Sequence, residues 1–219
     1  MTTVRMLTHN HVQLALHELR PGSGRTLLLL HGLGEASPAV LPEWATDWPG
    51  SVHALDFTGH GRSTVPAGGG YSAELLLADA DAALAELADA AGVTVVGRGL
   101  GAYVALLLAG ARSPLVHGTV LCDGPGLAGG AVSPTSQSFF LLPRSERAPD
   151  QYALWELSKD LRPPDYATTF VRLALEGSPL EEPIAVAAIV RPPWLAAVAA
   201  EVGVVSCSLD EALRIFAAG

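Results

Sequence analysis

The sequence predicts an α/β fold: an open, mostly parallel sheet with helices on both faces. Three observations carry that expectation. Short apolar runs alternate with helix-length stretches from residue 26 to residue 126. Each run stops at a polar or glycine-rich turn, at His31, Asp56, Gly97 to Gly101 and Asp123. The stretch that follows the third of these, 102–111, is apolar all round, as a helix buried on every side must be. Such alternation implies βα units with right-handed crossovers, and open parallel sheets collect ligands at the carboxyl ends of their strands.

The elements follow in order. Residues 11–19 (HVQLALHEL) alternate apolar and polar side chains like a half-buried strand, and Pro21-Gly22-Ser23-Gly24 turns the chain. Residues 26–30 are continuously apolar after Thr26, which suits a strand covered on both faces. Residues 51–56 (SVHALD) form the next predicted strand. In 72–91, Leu75, Leu76, Ala83, Leu84 and Leu87 mark one face of an amphipathic helix, with Ser72 placed to cap it. Residues 93–96 (VTVV) are β-branched and run into Gly97-Arg98-Gly99-Leu100-Gly101, and 118–122 (GTVLC) end at Asp123-Gly124-Pro125-Gly126. Seven prolines then break residues 127–183 into short pieces, helical near 151–161 and 165–176, which reads as an inserted cap. Strands at 184–190 and 204–207 and helices at 194–202 and 209–218 complete the chain.

With 219 residues, 49% hydrophobic and 16% charged, the chain supports one domain with a sizeable core. Its net charge of −9, without a run of Lys or Arg, argues against nucleic acid as a partner. Residues 1–10 lack a basic region followed by an apolar stretch, and no run approaches the roughly 18 apolar residues of a membrane span. The expectation is a cytoplasmic protein without a membrane partner, in which Cys122 and Cys207 are reduced.

Three landmarks together resemble the α/β-hydrolase superfamily: His31-Gly32-Leu33-Gly34, Asp56-Phe57-Thr58-Gly59-His60-Gly61-Arg62-Ser63, and Gly97-Arg98-Gly99-Leu100-Gly101. The resemblance implies a single hydrolase-fold domain over 1–219, with a short helical cap insertion at about 127–183. It also implies an oxyanion hole built at Gly32 from the backbone N–H groups of Leu33 and Leu100. His60 reads as a turn residue.

The chain departs from the family pattern at the nucleophile. The serine of G-x-S-x-G is Gly99 here. No histidine follows His117, and the stretch where the family's base would stand reads Val205-Ser206-Cys207-Ser208-Leu209. The acid is ambiguous: Arg191-Pro192-Pro193 occupies one of its two usual places, and Asp123 fits the other unless it is only a turn residue. Arg98 is placed to hold a carbonyl or carboxylate, or to form a salt bridge on the rim.

Three functions compete. The first is a pseudoenzyme binding a small apolar or carbonyl-containing ligand, or a protein partner or second copy, in the cleft, with Phe139, Phe140, Tyr152 and Trp155 as walls or as the cap's own core. The second is an enzyme using the oxyanion hole for isomerase, cyclase or lyase chemistry, with Asp123 as base and Arg98 or His31 as electrophilic help. The third is an esterase that recruits Ser37, Ser63, Ser206 or Cys207 with an early histidine. No metal or other cofactor is expected, because neither ligand spacing nor a dinucleotide loop is present.

Overall fold

The computed structural model describes residues 3–9, 11–127, 148–158 and 162–218. Among these residues the sheet contains eight strands: β1 (Thr3–His9), β2 (Val12–Arg20), β3 (Thr26–Leu30), β4 (Val52–Leu55), β5 (Val93–Arg98), β6 (Val116–Cys122), β7 (Ile184–Ala187) and β8 (Val204–Ser206). Their spatial order is β1-β2-β4-β3-β5-β6-β7-β8, and the sheet is open. β2 runs antiparallel to β1 and β4, and every other pairing is parallel.

The burial patterns explain the order. All five residues of β3 are buried, because β4 and β5 flank it and both sheet faces are covered there. β1, which the sequence reading does not anticipate, is a largely exposed edge strand paired with β2 from Thr3↔Glu18 to His9↔Val12. Helix α1 (Ala73–Leu87) starts where Ser72 Oγ accepts a hydrogen bond from Leu75 N. Helix α2 (Leu100–Ala111) is buried along nearly its whole length.

Helix α3 (Gln151–Ser158) rests on the turns that follow β3 and β4. Tyr71 donates its hydroxyl to Asp150 at 2.7 Å, and Glu156 accepts from the N–H groups of Gly70 and Tyr71. Helix α4 (Pro164–Gly177) corrects the expected cap. Its buried positions Ala167, Val171 and Ala174 form one stripe that joins the main core, and a Cβ on Gly110 of α2 would lie only 2.7 Å from Phe170 O. α4 therefore belongs to the helical layer against α2, because its apolar stripe is buried there. Within 127–183, cap-like placement is confined among the described residues to α3 and its approach. Phe139 and Phe140 lie outside the described residues.

The two faces are covered unequally. Helices α1, α2, α4 and α5 (Pro193–Ala199) enclose a core around Leu28, Leu30, Val95, Leu121 and Val186. Among the described residues, the opposite face carries only α6 (Leu209–Ala217) and a segment with Ala45 and Trp48 over Leu27, Val52 and Val120. The crossover from β3 to β4 contains a single 3-10 turn, Glu43–Ala45, where a full helix would cover the sheet. No helix among the described residues is long and apolar enough to cross a membrane.

Candidate functional site

The carboxyl ends of β3, β5, β6 and β7 meet around Gly99. This residue connects β5 to α2 with φ 54° and ψ −117°, a conformation that strains any residue bearing a Cβ. The turn is the sharp strand-to-helix elbow that the sequence places here. At Gly101, one step into the helix, a Cβ would approach Leu30 O to 2.4 Å, so the crossing of α2 over β3 requires glycine.

Both predicted oxyanion donors converge on one point, but that point is occupied by the protein itself. The N–H of Leu33 and the N–H of Leu100 donate to the carbonyl oxygen of Pro125, at 3.0 and 2.9 Å. The turn after β6 folds over the elbow to bring this carbonyl in. A Cβ on Gly99 would lie 2.1 Å from Pro125 O and 2.4 Å from Gly124 C, so the loop fills the space a nucleophile side chain would need. Gly99 N donates to Cys122 O at 3.1 Å, and Trp194 Nε1 donates to Leu127 O at 3.0 Å, pinning the loop at both ends. Gly32 packs beneath it, since a Cβ there would come within 2.6 Å of Pro125 Cδ.

The candidate acid and His31 are fully engaged, and Arg98 is engaged through Nε. Asp123 accepts from the N–H groups of Ile189 and Val190 at 2.6 and 2.8 Å, one through each carboxylate oxygen, and so ties the turn after β6 to the loop after β7. Arg98 forms a rim ion pair through Nε to Glu35 at 3.0 Å, and the same Glu35 oxygen accepts from Gly32 N. His31 donates from Nδ1 to Gly32 O and accepts at Nε2 from Phe57 N. Burial lowers its pKa to about 4, so it is a neutral structural bridge between the two turns. His60 does the same between Thr58 O and Gly34 N, with its pKa lowered by burial.

None of the alternative nucleophiles meets a base. The side chains of Ser37, Ser63, Ser206 and Cys207 share no hydrogen bond with a histidine among the described residues, and Ser63 Oγ donates to Asp56 O. Burial pushes the Cys122 thiol up to about 12, with the Asp123 charge adding to the effect. Both cysteines are free. Where the family's base would follow β8, Cys207 N is bonded to Val186 O and Ser208 Oγ caps α6 by accepting from Glu211 N. After β7, Arg191 turns back to bond Ala188 O through Nε.

Two buried carboxylates have no site role in the sequence reasoning: Asp56, read there only as a strand end and the start of a landmark, and Asp79. Burial works to raise the Asp56 pKa, but hydrogen bonds from His17 Nε2 (2.9 Å), Ser37 N (2.7 Å) and Arg62 N (2.8 Å) outweigh it and hold the carboxyl below its usual range. Asp79 on α1 accepts from Thr58 N and Thr58 Oγ, and burial raises its pKa to about 7 despite those bonds. Both fix the turn after β4. Nothing in the sequence marks Pro125 as the acceptor of the Leu33 and Leu100 N–H groups, because Asp-Gly-Pro-Gly signals a turn without saying what the turn touches.

Two cavities flank the elbow. One of about 520 Å³ lies beside Gly99, Gly124, Arg191, Trp194 and Leu195. The other, about 540 Å³, opens on the α6 side of the sheet beside Leu29, Val96, Trp44 and Leu209. Tyr152 packs partly buried against the main core, and Trp155 is partly exposed on α3; neither lines these two cavities. Among the described residues no group of three or more His, Cys, Asp or Glu side chains is placed to hold a metal ion.

Comparison with known proteins places this geometry. Residues 27–217 match the model of the alpha/beta hydrolase family. Among solved structures, E-2-(acetamidomethylene)succinate hydrolase is 27% identical, with a TM-score of 0.50 over 58% of this chain and 46% of that one. Epoxide hydrolase VrEH1 from Vigna radiata is 23% identical, with a TM-score of 0.45 over 55% and 38%. Epoxide hydrolase A from Mycobacterium thermoresistibile is 22% identical, with a TM-score of 0.47 over 56% and 39%. The chain thus aligns with less than half the length of each of these enzymes. A search of the curated proteins found no match. The match over nearly the whole chain, the strand order and the elbow between β5 and α2 agree: the chain belongs to the alpha/beta hydrolase family.

Proposed function

We propose that this protein is a pseudoenzyme of its family, one that binds a small apolar or carbonyl-containing molecule and does not cleave it by Ser-His chemistry. The observation that carries the reading is the Pro125 carbonyl, which takes up both the Leu33 and the Leu100 N–H groups and lies 2.1 Å from where a Cβ on Gly99 would stand.

Acyl transfer needs a nucleophile, a base to take its proton, and unoccupied donors for the developing oxyanion. Gly99 supplies no nucleophile, Cys207-Ser208 supplies no imidazole after β8, and the donors already serve a backbone carbonyl. Non-hydrolytic catalysis has less support. It would need Asp123 as a free base, yet both of its oxygens accept backbone N–H groups. Of its proposed helpers, His31 is committed to backbone groups through both ring nitrogens, and Arg98 pairs with Glu35 through Nε.

A fluorophosphonate probe tests the reading. The native protein is expected to remain unlabelled and to show no turnover of p-nitrophenyl esters, and Gly99→Ser is expected to gain neither property, because the base is missing as well. Stoichiometric labelling of the native protein, or esterase activity in Gly99→Ser, would overturn it.

A further inference from the structure

The cavity on the α6 side owes its existence to a missing helix. Strands of a parallel sheet are ordinarily covered on both faces. Here the β3–β4 crossover covers one face with a single 3-10 turn, and Pro38 and Pro42 prevent a longer helix before it. Leu29 and Val96 accordingly keep 7% and 6% exposure at the carboxyl end of the sheet, whereas Leu27 and Leu28 are fully buried. The space they share with Ala187, Leu209, Pro42 and Trp44 is about 540 Å³, the size of a small-molecule site.

Polar groups at this cavity are few, and nearly all are satisfied internally. His31 bonds backbone at both nitrogens, and Asp123 holds two N–H groups. Glu35 is shared between Gly32 N and Arg98. The exceptions are Ser37, whose buried Oγ has no partner among the described residues, and Arg98: its Nε faces Glu35, and its two terminal nitrogens have no partner among the described residues. An anionic ligand would meet two carboxylates against one guanidinium. A cationic ligand would meet Asp123 with both oxygens in use, and Glu35 with the Arg98 guanidinium already beside it. A neutral molecule with an acceptor suits both the apolar wall and the unpaired donors.

We infer that this cavity binds a neutral, largely apolar small molecule bearing a carbonyl, with its body against Leu29, Val96 and Trp44 and its oxygen accepting from the terminal nitrogens of Arg98. The inference rests on the reading of the protein as a binder and moves the site from the elbow to the opposite face of the sheet.

The test uses prodan, a neutral naphthyl ketone whose emission shifts to the blue when it leaves water, titrated into the whole chain. One saturable equivalent with blue-shifted emission is expected. Ala187→Phe, which fills the cavity, and Trp44→Ala, which removes its loop wall without touching the sheet, should each weaken binding at least about tenfold. Arg98→Met should weaken it by roughly tenfold, the worth of one charge-assisted hydrogen bond. Leu195→Trp, which fills the cavity beside the elbow, should leave it unchanged. No saturable binding overturns the inference. Binding lost in Leu195→Trp but kept in Ala187→Phe and Trp44→Ala also overturns it, while leaving the binder reading intact. The fluorophosphonate result bears only on hydrolysis, so the two failures are distinguishable.

Discussion

Gly99→Ala is the smallest change that asks whether the elbow tolerates a side chain at all. Alanine must adopt φ 54° and ψ −117°, which costs about 1–3 kcal/mol in backbone strain. Its Cβ would stand 2.1 Å from Pro125 O and 2.4 Å from Gly124 C, both backbone atoms that cannot swing aside as a flexible side chain can. The loop has to lift, and the Leu33 and Leu100 N–H groups then lose their shared acceptor. Each such bond contributes about 0.5–1.5 kcal/mol net, and water at the exposed Pro125 recovers part of it. The expected destabilisation is therefore about 2–5 kcal/mol. With a urea m-value of about 2–3 kcal/mol/M, the unfolding midpoint should fall by roughly 1–2 M without a change in slope. Amide hydrogen exchange gives a local readout, since Leu33 and Leu100 should exchange faster in the variant than in the parent. A midpoint within about 0.3 M of the parent, or unchanged protection at both amides, would show that the loop is not held by the absence of a Cβ.

The remaining predictions concern titration and reactivity. Asp79 has a folded pKa of about 7, above the unfolded value near 3.9, so the native state holds the extra proton and Asp79's contribution to stability falls as pH rises from about 4 to 7. Asp79→Asn removes that loss: its stability relative to the parent should climb across this window by up to about 4 kcal/mol and level off above it, and a flat difference in denaturation at pH 4 and pH 8 would refute the assignment. Asp56 has the opposite sign. Its depressed pKa gives stability that is present above the unfolded carboxylate pKa near 4 and is lost as pH falls toward the folded value. Asp56→Ala, which strands His17 and two backbone N–H groups, should cost about 3–5 kcal/mol at pH 7, and a loss under 1 kcal/mol would contradict the network. Cys122, with its thiol pushed up to about 12, should have a thiolate fraction on the order of 10⁻⁴ at pH 8 and resist iodoacetamide in the folded protein; alkylation as fast as that of a free thiol would contradict its placement.

How much of this was legible in the sequence depends on the range of the interaction involved. The strands from Thr26–Leu30 to Val116–Cys122 announce themselves through apolar runs that stop at turns, and α1 through its stripe and the Ser72 cap. The elbow was readable because Gly97, Gly99 and Gly101 are local requirements of one sharp turn. β1 was missed, since its alternation is weak and its burial comes from pairing with β2. The layer helix α4 was taken for cap because its prolines and its position after the long insertion outweigh an amphipathic stripe whose partner, α2, lies far back in the chain. At the site, the Leu33 and Leu100 N–H groups converge on one acceptor. That acceptor was not legible, because Pro125 reaches them only when β6 lies beside β5. Asp123 shows the same limit: the sequence offered turn residue or cleft acid, and the structure gives a tie between the loops after β6 and β7.

These ties bear on why the elbow carries glycine. The turn after β6 is bonded to the turn after β3 through Leu33, to the start of α2 through Leu100, to the loop after β7 through Asp123 and to α5 through Trp194. One loop thereby stitches four strand ends into a closed rim. In a hydrolase the same position must stay open, since the nucleophile's side chain stands there and the donors wait unpaired for a transition state. That arrangement stores strain and forgoes hydrogen bonds for the sake of catalysis. Replacing the side chain by hydrogen reverses the balance, because the loop can then descend and satisfy both donors in the resting state. A serine returned to position 99 would have to open the rim before it could act, and even then would find no imidazole after β8 to take its proton. The closed rim therefore depends on the missing Cβ at residue 99.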